Sequence, residues 1–276
     1  MKDCIILHHL FTGDCLIMHA CICHYAEIYN NIYIFCLERN KTFIKQLYSK
    51  MNVIPVVIPQ KEHNKHKLPY APPLTYIKKF LPSLKDYKLI KTSNSFLENG
   101  KISDEWNKSN HIIWFKKFYF LANVPYSIRQ KYRNINRNHK RELELYNKVI
   151  NIYGEKYIFV HDHRNIHYKH TRNIFLNEKM ILNENYPIFH PSINFYNNKN
   201  HKYYNLWNAD FITDNILDLC MVIEKSYKIN IIDSAFLHLC SYLDLSNVTE
   251  KKILNHNALP SSLTILDPSY IDWIKY

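Results

Sequence analysis

The chain has 276 residues, 47% of them hydrophobic and 14% aromatic, and a formal net charge of +12. This is enough apolar material for one large domain or two ordinary ones, and it excludes a disordered protein. No window reaches the ~18 uncharged apolar residues that span a bilayer. The N-terminus, MKDCIILHHLFTGD, is broken by Asp, His and Gly and does not read as a signal peptide. A cytoplasmic protein is expected. The seven cysteines lie mostly in apolar runs, as reduced core thiols do. Cys21 and Cys23 form C-x-C, but no second Cys/His pair follows at finger spacing, so no metal site is expected. The positive charge suits a polyanion or a phosphorylated small molecule. Abundant Lys, Asn, Ile and Tyr with only three Gly also fits AT-rich codon usage, so the charge total is discounted.

The elements follow in chain order. Residues 4 to 9 (CIILHH) predict a strand, and 15 to 29 a helix with Leu16, Ala20 and Ile28 on one face. A second strand is predicted at 32 to 36, a helix at 41 to 50 and a third strand at 53 to 58. Short apolar strands alternating with helices imply a parallel, Rossmann-like sheet. Gly13 and Asp14 fall in the first strand-to-helix turn, the edge where such sheets bind ligands. Gly13 permits a tight turn there. By position alone Asp14 caps the helix. Residues 60 to 86, rich in Lys, His and Pro, read as a loop, and 87 to 92 as a strand. A helix is expected from the Ser103 cap to about Leu121, with core aromatics. Residues 129 to 141 are strongly basic and read as a solvated linker, with a phosphate or nucleic-acid surface as the alternative.

A helix is predicted over 142 to 153 with Gly154 as its C-cap. The run YIFVHDHR then carries an apolar strand into His161, Asp162, His163 and Arg164, the pattern of a strand-end binding site, with a polar loop held by salt bridges as the alternative. Arg164 suits a diphosphate, because its guanidinium fork matches phosphate oxygens. A short strand is expected at 188 to 192. Thr213 or Asp214 caps a helix, 229 to 232 forms a strand, and Asp233 and Ser234 open another helix that carries His238. Two helix N-termini beside strand ends suit anionic oxygens. Two ordinary capped helices are the alternative. Further short strands are expected at 252 to 255 and 263 to 266, and the tail SYIDWIKY is expected to pack back on the body.

Five stretches carry a resemblance: His8 to Asp14 (H-H-x-x-x-G-D), the IYIFC strand, Ala122 to Pro125, Tyr157 to Asp162, and Thr213 to Leu239. In this order they resemble glycosyltransferases of the GT-B type found in microbes and viruses. The second half is similar to the nucleotide-sugar half of heptosyltransferase- and fucosyltransferase-like enzymes. The resemblance implies an α/β fold of two Rossmann-like domains facing a central cleft. It implies an N-terminal acceptor domain at 1–140 and a C-terminal nucleotide-sugar domain at 141–276. It implies Asp14 as the general base, with His9 and Gly13 at the acceptor turn. The donor would be held by His161, His163, Arg164, Thr213, Asp214, Asp233, Ser234 and His238. No metal or cofactor is implied beyond the nucleotide-sugar. The acceptor would be a glycan, a lipid-linked sugar or another hydroxyl compound. The chain departs from the family pattern at Phe11, where the family has a second glycine, and its second half is short.

The expected function is glycosyl transfer from a nucleotide-activated sugar to an acceptor hydroxyl, inverting and metal-independent. The alternatives are a basic nucleic-acid-binding protein and a catalytically degenerate scaffold of the same fold. A recognition helix, an RNP-like aromatic motif and a zinc finger are all missing, which argues against nucleic acid.

Overall fold

The computed structural model describes residues 2–62, 72, 74–92, 112, 114–161, 185–192, 211–232, 234–253 and 273–275. The chain divides into two units, Met1–Asn136 and Arg137–Tyr276. Expected elements at 263 to 266, and before residue 112 in the aromatic helix, lie outside the described residues.

In unit 1, β1 (Asp3–Leu7), β2 (Ile32–Leu37), β3 (Val53–Ile58) and β4 (Tyr87–Lys91) form a sheet in the order β3-β2-β1-β4. Every pairing is parallel, with Ile5 opposite both Tyr33 and Leu89. The alternating β-α-β-α-β order is therefore as expected. The first strand stops at Leu7, two residues earlier than the apolar run suggested. Pro55 lies in β3, one of the two edge strands of the described sheet, where a missing N–H is tolerated.

The first helix, α1, spans Thr12–Ala26. The sequence suggested one apolar face, but every residue from Asp14 to Cys23 is buried. A helix apolar on all sides is a core helix, and α1 lies between the sheet and a later helix, α4 (Trp114–Leu121). The Tyr119 hydroxyl of α4 donates to the Ile17 carbonyl at 2.6 Å. Tyr25 of α1 donates in return to the Ala122 carbonyl. On the opposite face of the sheet, Ile5, Leu7, Phe35, Leu37, Val56 and Ile58 pack against Tyr76 and Ile77. These two belong to α3 (Thr75–Phe80), a helix within the stretch read as loop. Another helix of the unit, α2 (Lys41–Leu47), follows β2.

Unit 2 has the strands β5 (Ile158–His161), β6 (Ile188–Phe189), β7 (Lys228–Ile231), β8 (Glu250–Ile253) and β9 (Ile274–Lys275), in the order β6-β5-β7-β8-β9. All are parallel. The tail does return to the body: β9 pairs with β8, and Trp273 is buried. Helix α5 (His139–Tyr153) starts three residues before the expected position, with Asn138 as its cap. It ends at Gly154 as expected, whose φ of 75° is the left-handed conformation glycine adopts readily. The unit's core is aromatic. Tyr153, Phe189 and Phe211 meet edge-to-face at 5.6 to 6.1 Å. Short helices α6 (Cys220–Glu224) and α7 (Ala235–Cys240) also belong to the unit.

The two units meet in sequence at a pair of firmly held residues. Asn136 donates to the Gln46 carbonyl at 2.7 Å inside unit 1. Arg137 belongs to unit 2, where it bonds Glu142 through Nε at 3.0 Å and Glu224 through Nη1 at 2.6 Å. Burial opposes the Arg137 charge, but these two carboxylates outweigh it and raise its pKa. The Glu142 side chain is fully buried. Removing the guanidinium would strand a buried carboxylate. Arg137→Met should therefore destabilise unit 2 by about 3–5 kcal/mol in chemical denaturation. The double variant Arg137→Met with Glu142→Gln should recover much of that loss.

Two buried histidines make unit 1 acid-sensitive. His8 is 1% exposed and His19 is 2% exposed. Burial pushes each imidazole down to about 4, despite backbone carbonyls that favour the charged form. The His8 ring faces Asp14 and His9, and the His19 ring faces Arg129 and the Asn134 carbonyl. The unfolded chain takes up these protons near pH 6.5, and the folded chain only near 4. The stability they support is present above about 6.5 and is lost as pH falls toward 4, at roughly 1.4 kcal/mol per pH unit for each ring. Urea melts between pH 7.5 and 4.5 should show this decline. His19→Gln should make it shallower.

Candidate active site

The C-terminal ends of β1, β2 and β4 lie together, and the chain between β1 and α1 is fixed by its neighbours. The Leu7 carbonyl accepts from the Thr92 amide at 2.9 Å and from its hydroxyl at 3.2 Å. Asn40, buried beyond the end of β2, donates to the Leu10 carbonyl at 2.9 Å and accepts from the Thr12 hydroxyl at 3.0 Å. The Arg39 guanidinium lies over the Phe11 ring, 5.9 Å from its centroid. Residues 8 to 11 make the turn. Phe11, in extended conformation, is the N-cap of α1 and offers no side-chain cap bond.

This corrects two expectations. Gly13 is not the turn residue but the second residue of α1, and Asp14 is the third rather than the cap. The apolar and His residues after Leu7 form the turn without glycine, so the helix begins earlier. Asp14 is the acidic residue of the helix's first turn, where free N–H groups favour an anion.

Behind Asp14 stands His9. Its side chain is fully buried, and its Nδ1 lies 3.5 Å from Asp14 Oδ2, while the Asp14 side chain keeps 12% exposure. Phe118 meets the His9 ring edge-on at 5.0 Å and holds its orientation. His8 donates through Nδ1 to the His9 carbonyl, which leaves its buried Nε2 without a partner among the described residues. A carboxylate with one open edge and an imidazole at its back can accept a proton from a hydroxyl and remain held in place.

In unit 2 the strand ends also gather ionisable and aromatic side chains. His161 is the last residue of β5, inside the strand rather than after it. It stacks on His190 at 5.8 Å and an interplanar angle of 23°, and its ring centroid lies 4.6 Å from that of Phe236 of α7. His190 is fully buried, and its Nδ1 accepts from the Ser192 amide at 3.1 Å, which leaves the ring proton to Nε2. Ser234 occupies the N-cap position of α7, and its buried hydroxyl has no partner among the described residues. His238 is half-buried on the same helix, with its carbonyl accepting from the Ser241 hydroxyl at 2.7 Å. His163, Arg164 and Asp233 lie outside the described residues.

Thr213 and Asp214 differ from expectation. The cap is Asn215, whose side chain accepts from the Leu217 amide at 3.1 Å and opens a 3-10 turn, Ile216–Leu219, before α6. The Thr213 hydroxyl donates to Asp218 Oδ2 at 2.7 Å, and Asp218 also pairs with Arg141 at 2.5 Å. Asp214 is exposed. Helices α6 and α7 run for five and six residues, so little aligned dipole is present to act on an anion.

The sequence reading missed His190 and Asp218. His190 repeats the signal that identified His161, an apolar strand that ends in histidine. Asp218 gave no signal, since its burial depends on Arg141, far away in sequence.

No known family profile and no curated protein matches the chain. Among solved structures, the chain is similar to ADP-heptose LPS heptosyltransferase II of E. coli, with 13% identity, 100% of this chain and 90% of that chain covered, and a TM-score of 0.57. It is also similar to E. coli heptosyltransferase WaaC with ADP, at 11% identity, 94% and 89% coverage and a TM-score of 0.49. Heptosyltransferase II and the two parallel α/β units of this chain share one fold: the architecture is Rossmann-like and of the GT-B kind.

Proposed function

We propose that this chain is a glycosyltransferase that moves a sugar from a nucleotide-activated donor to an acceptor hydroxyl. The observation that carries the reading is the Asp14 carboxylate, held in the first turn of α1 with one edge open and His9 3.5 Å behind it. The full-length fold likeness to heptosyltransferase II supports it.

The reaction is a direct displacement with inversion. The acceptor oxygen attacks the anomeric carbon, its proton passes to Asp14, and the bond from that carbon to the diphosphate oxygen breaks. The nucleoside diphosphate leaves with the bonding electrons. His9 is a positioning residue here: buried, it cannot touch the acceptor, but it restrains the carboxylate that does. Unit 1 takes the acceptor in this reading, and the strand ends of unit 2 take the donor. His161, His190, Ser234 and His238 line that edge, and Arg164 and His163 are assigned to the diphosphate on their sequence position. The charge of the leaving group falls to these side chains, with no metal and no cofactor beyond the nucleotide-sugar. The acceptor is a glycan, a lipid-linked sugar or another hydroxyl compound.

The test combines a thermal-shift panel with one variant. ADP-sugars head the panel, because the solved relative is named for ADP-heptose. UDP-, GDP- and CMP-sugars follow. One nucleotude class should raise the melting temperature in a concentration-dependent way. Asp14→Asn should keep that shift and lose about 10²- to 10⁴-fold in turnover of the same donor. Folded protein that responds to none of the nucleotides, or an Asp14→Asn variant that turns over normally, would remove the reading.

A further inference from the structure

We propose that Asn40 is a positioning residue for Asp14, a role that rests on the transfer reading above. The first sign is a broken local rule. Asn40 closes the 3-10 turn Glu38–Asn40 and occupies the N-cap position of α2. Asparagine is among the best cap residues, because its side-chain oxygen accepts from the first free amides of a helix. Asn40 makes no such bond to α2. Its side chain serves another helix, and departures of this kind gather at functional sites.

Helix α1 begins without a cap of its own, since Phe11 at its N-cap position has no side-chain acceptor. The Asn40 carboxamide holds that start from outside. Its Nδ2 donates to the Leu10 carbonyl at 2.9 Å, and its Oδ1 accepts from the Thr12 hydroxyl at 3.0 Å. One planar group thus grips the residue on either side of Phe11. The Arg39 guanidinium lies over the Phe11 ring between them. The turn that carries Arg39 and Asn40 is tied in turn to the end of β3, where the Gln60 amide donates to Glu38 Oε2 at 3.1 Å. Asn40 is buried, so water does not compete for its bonds.

Asp14 follows Thr12 in the same helical turn. A first turn fixed at residues 10 and 12 has a fixed direction, and so has the carboxylate it carries. His9 restrains that carboxylate from one side only, at a distance of 3.5 Å that is long for a hydrogen bond. Without the Asn40 clasp the start of α1 is free to fray. A displacement on the order of 1 Å slows a direct displacement by about 10²-fold. Asn40 touches none of the reacting atoms and acts through Asp14. A second asparagine shows what a purely structural bridge looks like. Asn52 also joins chain segments through Nδ2, donating to the Tyr29 and Asn30 carbonyls at 2.7 Å, but it precedes β3 at the N-terminal edge of the sheet.

The donor for the test is whichever ADP-, UDP-, GDP- or CMP-sugar raises the melting temperature, and the readout is release of its nucleotide. Asn40→Ala should keep the donor-induced shift, hold the donor KM within about twofold and lower kcat by about 10- to 10²-fold. Thr12 is half-buried, so Thr12→Val should fold; it removes the hydroxyl bond alone and should also lower kcat, while Thr12→Ser should restore it. In an Asp14→Asn background, Asn40→Ala should slow the reaction no further, because no carboxylate is left to position. Asn52→Ala should keep the wild-type kcat. Wild-type kcat in Asn40→Ala, an equal loss with and without the Asp14 carboxylate, or an Asn52→Ala loss as large as that of Asn40→Ala would overturn the assignment. Failure of the transfer reading has a different signature: Asp14→Asn then turns over normally, and the role of Asn40 falls with it.

Discussion

A parallel strand must return the chain to its starting edge before the next strand can pair, so each crossover begins beyond a C-terminal strand end. All pairings in both sheets obey this, and it concentrates unsatisfied backbone at the same edge where the crossovers start. In unit 1 the resulting carbonyls are closed by Thr92 and Asn40, polar residues from the ends of β4 and β2. Once that turn is rigid, the residues next to it acquire fixed neighbours. The His9–Asp14 pair and the His161–His190 stack both follow from strand ends that are parallel and adjacent.

The elements that could be read from sequence were those whose burial is complete. β1, β2, β5 and β7 are short apolar runs because a parallel sheet is covered on both faces. Boundaries were less legible. The His and Leu after Leu7 look like strand, yet they form the turn, and only the bond from Asn40 reveals it. At residues 213 to 215, Thr, Asp and Asn all qualify as caps by type. Geometry selects Asn215, since Thr213 is committed to Asp218. α3 escaped notice because its six residues follow a stretch of sequence rich in Pro and Lys, and its contribution lies in Tyr76 and Ile77 covering the sheet.

The candidate site was legible in part. Asp14 stood out by its place at the first crossover, and its chemical role came from the family resemblance. His9 was named only as part of the acceptor turn; its pairing with Asp14 was not legible, because five residues separate them and only the turn brings them together. His161 was found by the abrupt change from apolar to ionisable residues, and the same rule would have found His190. The charge total was a poor guide, since codon usage and binding both raise it.

Pro55 has a consequence beyond its own strand. A sheet's outer strand offers a row of hydrogen-bonding groups to any extended peptide that passes, and Ile54 beside it adds an apolar handle. An imino acid in mid-strand deletes one donor from that row. β3 is therefore a poor template for a foreign strand, and sheet growth from one molecule into another is interrupted at its most sticky point. Self-association through this strand is disfavoured for the same reason.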